Sequence, residues 1–172
     1  NGVITIPDTV DGYTVTAIGT YSFRVCTSLT SVTIPDTVLS IDAQAILNCS
    51  NIESVTFGNS LTSMATQSFN GCTKLASFTL PNTLITIGNN CFKEAYALTS
   101  VTIPASVTSI GDQGFAYCTG LTSVIIKPYG ELHTIGSSAF NGCNSLTSIT
   151  LPDTVITIGA SCFSLTHQDL TV

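Results

Sequence analysis

Positive charge is what this chain has least of. Only Arg24, Lys74, Lys93 and Lys127 are cationic, against ten acidic residues, for a formal charge of −6. A nucleic-acid partner needs clustered Lys and Arg to displace counterions from phosphates, and four scattered cations argue against that class. The same scarcity leaves no basic stripe for an anionic lipid surface. No apolar run approaches the ~18–20 residues of a membrane-crossing helix, so no membrane insertion is expected. No Cys-x-x-Cys pair or histidine cluster has zinc spacing, and no Gly-x-Ser-x-Gly elbow is present. Asp8, Asp36, Asp112 and Asp153 stand singly, unlike the dense oxygen ligands of a calcium loop. The sequence therefore predicts no catalytic residues, no metal and no cofactor, and an enzyme is the least favoured reading. His133 and His167 read as surface side chains.

Charge is scarce altogether, at 8% of residues, while 44% are hydrophobic, a balance far from that of a disordered chain. The chain opens on Asn1 rather than Met and already inside a repeat, so it reads as a piece of a larger protein. On that reading the missing signal peptide is no argument against export.

What the sequence has in abundance is repetition. Leu98–Gly120, LTSVTIPASVTSIGDQGFAYCTG, is one copy of a 23-residue unit. Counted from Leu98, apolar residues occupy steps 1, 4, 6, 10, 13 and 18: Leu98, Val101, Ile103, Val107, Ile110 and Phe115. Pro104 stands at step 7, Gly111 at step 14, Gly114 at step 17 and Cys118 at step 21. A fixed period of this length marks a solenoid, whose coils bury their apolar faces only against one another. Seven coils follow: 1–28, 29–51, 52–74, 75–97, 98–120, 121–145 and 146–172, read as a single domain. The first spends five extra residues around Asp11-Gly12, a turn signal, and the sixth gains two around Lys127–Glu131.

Steps 2 to 6 alternate polar and β-branched residues, which predicts a strand half-buried on its even steps. Proline at step 7 ends it, and steps 10 to 13 suit a second short extended segment. Glycine at step 14 suits a positive φ or a close approach of backbones. Steps 15 to 21 read as two turns of helix, because Thr20, Thr66, Asn89, Asp112 and Ser137 are good N-caps and Phe and Cys share a helical face.

These residues, Leu-x-x-Val-x-Ile-Pro-x-x-Val-x-x-Ile-Gly-x-x-x-Phe-x-x-Cys, resemble the Treponema-type, or BspA-like, leucine-rich repeat across essentially the whole chain. The resemblance implies an α/β repeat solenoid: a right-handed leucine-rich-repeat superhelix with a parallel sheet of short strands and short helices opposite. It also implies an extracellular or cell-surface protein, some relatives being adhesins toward host matrix or cell-surface proteins. The functional expectation is a non-enzymatic protein-interaction module binding protein or glycan. A structural spacer, or a targeting domain for another domain of the full-length protein, is the alternative.

Cys26, Cys49, Cys72, Cys118 and Cys143 share step 21, and Cys91 and Cys162 share step 17. An odd count with parallel Cβ vectors suits buried thiols better than bridges. Two candidate surfaces remain. One is the outward strand ladder, Thr33, Thr56, Thr79, Thr102, Ile125 and Thr150, readable as a soluble coating of the sheet or as an uncharged recognition platform. The other is where the repeat breaks: Tyr13 in the first insertion, and Lys127 and Tyr129 in the second. An aromatic there suits a contact hot spot, although a plain tolerated insertion is the favoured reading of each.

Overall fold

Alternating polar and β-branched residues do form strands. A computed structural model of the chain describes residues 2–172; Asn1, the first residue of the first coil, lies outside the described residues. Val3–Thr5, Ser31–Thr33, Ser54–Thr56 and Ser77–Phe78 make a four-stranded parallel sheet, and Ser100–Ile103 pairs separately with Ser123–Ile126. Equivalent steps sit opposite one another, Val32 against Val55 and Val101 against Val124, so one repeat is one turn of the solenoid. Even steps point inward and are largely buried; odd steps carry Ser and Thr outward.

The second extended segment is the more regular layer. Ala17–Ile18, Ser40–Ile41, Ser63–Met64, Thr86–Ile87, Ser109–Ile110, Thr134–Ile135 and Thr157–Ile158 form an unbroken seven-stranded parallel sheet. Both insertions lie between the two layers, so neither disturbs the pairing. In the first coil, Thr9–Val10 and Tyr13–Thr14 close an antiparallel hairpin. Asp11 (φ 50°) and Gly12 (φ 82°) supply the two positive φ values its two-residue turn requires.

The predicted short helices do not form. Steps 16 and 20 adopt a left-handed backbone, with φ between 54° and 65° at Gln44, Asn48, Gln67, Asn90, Glu94, Gln113 and Tyr117 among others. A helix would direct every amide back along its own chain. Here the amides of steps 16, 18 and 20 instead donate to the next coil: Gln113 to Ser137, Phe115 to Ala139 and Tyr117 to Asn141, at 2.9, 2.8 and 2.7 Å. The same trio recurs from Gln44, Ile46 and Asn48. Left-handed L-residues cost roughly 1–2 kcal/mol each, a cost offset by ladder bonds that an isolated coil could not make. The expected N-caps serve the stack as well: the Asn89 carboxamide oxygen accepts from the Asp112 amide (2.9 Å), and the Asp112 carboxylate from the Ser137 amide (2.7 Å).

One continuous apolar cluster runs from Ile6 to Cys162. Its axis is a column of rings, Phe69, Phe92, Phe115, Phe140 and Phe163, stacked near-parallel at centroid distances of 5.3 to 5.7 Å. The step-14 glycines have no positive φ; close approach is what they serve. A Cβ on Gly88 would lie 2.6 Å from the Ala65 carbonyl carbon, inside van der Waals contact with the preceding coil.

Step 9 shows what the insertions cost. The Thr83 hydroxyl donates to the Asn59 and Leu61 carbonyls of the preceding coil (2.9 and 2.8 Å), and Ser106 donates to Leu84 (2.7 Å). The Thr37 and Thr154 hydroxyls are buried without a partner, and each follows a coil that carries an insertion, where the step-9 acceptor is displaced. Thr37→Val is therefore expected to be neutral or stabilising in urea denaturation. Thr83→Val should cost about 1 kcal/mol, the usual net worth of a hydrogen bond. Equal losses at the two sites would contradict this account.

Candidate functional site

The strand ladder lapses between coils four and five, and past coil six it continues only as single bridges, Val124 to Ile149 and Ser148 to Thr171. Ser77–Phe78 pairs with Ser54–Thr56 on one side, and Ser100–Ile103 with Ser123–Ile126 on the other, but no ladder joins the two halves. The neighbouring layer runs straight past this point through Thr86↔Ser109. Coils four and five thus stay stacked, and their strands remain neighbours, but the ladder hydrogen bonds between those strands lapse.

The side chains beneath this point are unusual. Phe57 and Phe78 occupy inward steps where the other copies carry Ile, Val or Leu. The Phe78 ring stacks on Phe92 at 4.6 Å and meets Phe57 near-perpendicular at 6.0 Å, while Phe57 in turn meets Phe69 edge-on at 5.6 Å. Four rings pack under two short strands that stay paired, and the ladder lapses on the coil-five side of partly buried Phe78.

Two adjoining hollows lie on this strand side, the first over coils three and four and the second reaching across coils four and five. One, of about 410 Å³, lies over Ser54, Thr56, Phe78 and Thr79; the other, of about 380 Å³, lies between Asn82, Ser100, Thr102 and Lys127. Lys127 replaces the step-7 proline in coil six, and its Nζ donates to the Asn82 carboxamide oxygen 3.1 Å away, two coils back. Ala105 stands at the intervening step 8, where the coils on the N-terminal side carry Asp or Asn, and its small side chain leaves the crossing open.

Of the sequence-predicted candidates, the fold gathers Thr56, Thr79, Thr102 and Lys127 at these hollows. Ile125 and Thr150 border a smaller depression further along the strand side. Thr33 lies on the same layer, outside the hollows. Tyr129 is 98% exposed and Tyr13 81%, each on its own insertion in coils six and one. Sequence reasoning missed Asn59, Asn82 and Phe78. The available signals were the step-8 column of Asp36, Asn59 and Asn82, and the two phenylalanines at β-branched steps.

The cysteines face inward. All seven are free thiols, six of them buried. The step-21 thiols of Cys49, Cys72, Cys118 and Cys143 donate to the step-18 carbonyls of the preceding coil (Phe23, Ile46, Phe92 and Phe115) at 2.8 to 3.3 Å. Burial pushes Cys49 and Cys162 up to about 11 and Cys91 and Cys143 up to about 12; Cys72 and Cys118 are raised for the same reason. Among the described residues, no three His, Cys, Asp or Glu converge as metal ligands.

This geometry has close counterparts. A leucine-rich repeat protein from Treponema pallidum superposes with a TM-score of 0.87 at 28% identity, over 94% of this chain and 74% of that one. A leucine-rich cell surface protein from Faecalibacterium prausnitzii gives 0.81 at 32% identity, over 100% of this chain and 47% of that one. A leucine-rich repeat protein from Bacteroides ovatus gives 0.75 at 30% identity, over 95% of this chain and 49% of that one. The chain thus spans about half the length of the last two. No curated protein matches it significantly. The profile of the BspA-type leucine-rich-repeat region matches residues 3–122 and 108–170, in six copies. With this repeat along nearly its whole length, the chain belongs to the BspA-type leucine-rich-repeat family.

Proposed function

We propose that the chain is a non-enzymatic protein-interaction module of a cell-surface or secreted protein, acting in adhesion to a host or neighbouring-cell protein. The observation that carries this reading is Tyr129. It is 98% exposed on an insertion that breaks the repeat, four residues beyond an outward Ile125 that is 55% exposed. The inward residues of the repeat have packing or backbone tasks, and among the outward ones this departure presents the largest exposed aromatic surface. An exposed tyrosine offers a large amphipathic surface at low entropic cost. The cell-surface placement rests on the family and on the F. prausnitzii relative described as a cell surface protein. The seven coils are read as one domain, because a single apolar cluster links the first to the last.

The test is binding of the chain to immobilised matrix and cell-surface proteins. Saturable binding is expected, weakened at least tenfold by Tyr129→Ala, the size of a modest hot spot. No saturable binding to any of them would overturn this reading in favour of a spacer, and binding undiminished in the variant would overturn the role given to Tyr129.

A further inference from the structure

The hollow between coils four and five is lined by chemistry suited to one kind of ligand. Partly buried Phe78 lies among its lining residues, together with the hydroxyl-bearing Thr79, Ser100 and Thr102. Two carboxamides frame it. Asn59 gives its backbone and side-chain N–H groups to Asp36 (2.6 and 3.3 Å), which leaves its oxygen to accept; Asn82 gives its oxygen to Lys127, which leaves its N–H groups to donate. Hydroxyls do both. A ligand that both donates and accepts along its edge, and offers an apolar C–H face to an aromatic ring, is a sugar. The volume, about 380 Å³, lies in the range of small-molecule sites.

Lys127 adds the charge. It is the only ionised side chain lining this hollow, and with one N–H engaged by Asn82 it has two left for an incoming oxyanion. No carboxylate lines the hollow to compete, since Asp36 lies on the far side of Asn59. We propose that this cleft binds a carbohydrate bearing a carboxylate, with the ring over Phe78, its hydroxyls on Asn59, Asn82 and the Ser/Thr walls, and its acid on Lys127. This goes beyond the protein contact assigned to Tyr129: the two use different ligands, and either can fail without the other.

The experiment titrates the whole chain with sialyllactose and with digalacturonate, using lactose as the neutral control and tri-glutamate as the acidic peptide control, read by saturation-transfer NMR and calorimetry. Both or either acidic saccharide should bind at least tenfold more tightly than lactose and than tri-glutamate. Lys127→Met should remove that advantage while leaving the fold intact, because the side chain is exposed. Phe78→Val should weaken all saccharides by closing the gap, visible as new amide-exchange protection at Thr79 and Thr102. Lactose binding as tightly as the acids, no acidic saccharide binding, tri-glutamate binding best, or a Lys127→Met variant that behaves as wild type would each overturn the proposal.

Discussion

Phe115→Ala is expected to destabilise the array by about 4–5 kcal/mol and to break its cooperativity. Phe115 is fully buried, with rings stacked on both sides, Phe92 at 5.3 Å and Phe140 at 5.5 Å. Removing a buried phenylalanine costs about 3–5 kcal/mol through lost transfer energy and the cavity left behind. The aromatic contacts add roughly 0.5–1.5 kcal/mol. The stack cannot collapse to refill the space, because the ladders on either side hold the coil spacing. Phe163→Ala removes a partly exposed ring with one stacking neighbour and should cost less than half as much.

The more telling outcome concerns the transition itself. A solenoid is held by nearest-neighbour interfaces, so weakening one in the middle uncouples the arrays on its two sides. Coils six and seven, left without strong coupling to the rest, are fewer than the roughly three repeats an array needs. Urea unfolding should become biphasic, with the amides of Ile135 and Phe140 losing exchange protection before those of Ile41 and Phe69. A single transition that merely shifts, with uniform loss of protection, would contradict nearest-neighbour coupling and point to a globally shared core.

Such an experiment probes what the sequence made readable and what it did not. The period placed Leu98, Val101, Ile103, Val107, Ile110, Phe115 and Cys118 inside, and all are buried. These positions were legible because each copy repeats the same local trade between apolar and polar residues. The turn side was misread as helix because Phe115 and Cys118 stand three apart behind a capping-type residue, which is also how a helix is written. What defeats the helix is non-local. Gln113 and Tyr117 turn left-handed because the neighbouring coil offers Ser137 and Asn141 carbonyls to the amides so aligned. Nothing within one copy announces that partner.

The candidate site divides in the same manner. The outward Thr ladder and the exposed Tyr13 and Tyr129 follow from alternation and from breaks in the count. The cleft does not, because it arises from pairs of copies rather than from single ones. Phe57 and Phe78 read as ordinary core residues until their rings meet under two strands. Lys127 reads as an insertion residue until its amine is found on Asn82, 45 positions earlier. A repeat makes its average coil predictable. Its specificity is written in differences between coils, which acquire meaning only when the coils are stacked.

Raising the pH from 8 to 10.5 should unfold the chain well before its backbone is otherwise affected, because of the thiols. Cys49, Cys91, Cys143 and Cys162 are raised to about 11 or 12, and Cys72 and Cys118 are raised by the same desolvation. In the unfolded chain a thiol ionises near its ordinary pKa of about 8.5. Below that value neither state loses a proton, and the stability is pH-independent on this account. Above it the unfolded state binds fewer protons than the native state, so stability falls as pH rises, until the native thiols ionise in turn. The slope is about 1.4 kcal/mol per pH unit for each such thiol. Six acting together would remove several kcal/mol between pH 8.5 and 10, a large share of the ~5–15 kcal/mol that holds a typical domain together.

The same desolvation predicts that an aromatic disulfide reagent at pH 8 modifies none of these six thiols in the native chain and all of them in urea, since the thiolate is the nucleophile. Replacing Cys118 and Cys143 by Ala should flatten the alkaline limb by about two thiols' worth while costing stability at pH 7, where their bonds to the Phe92 and Phe115 carbonyls are lost. Stability that holds constant to pH 10.5, or thiols that react at native rates typical of an exposed cysteine, would refute the buried-thiol account. On that account the cysteines need no oxidising or reducing partner to persist as free thiols. Packing keeps them protonated, and protonation keeps them inert.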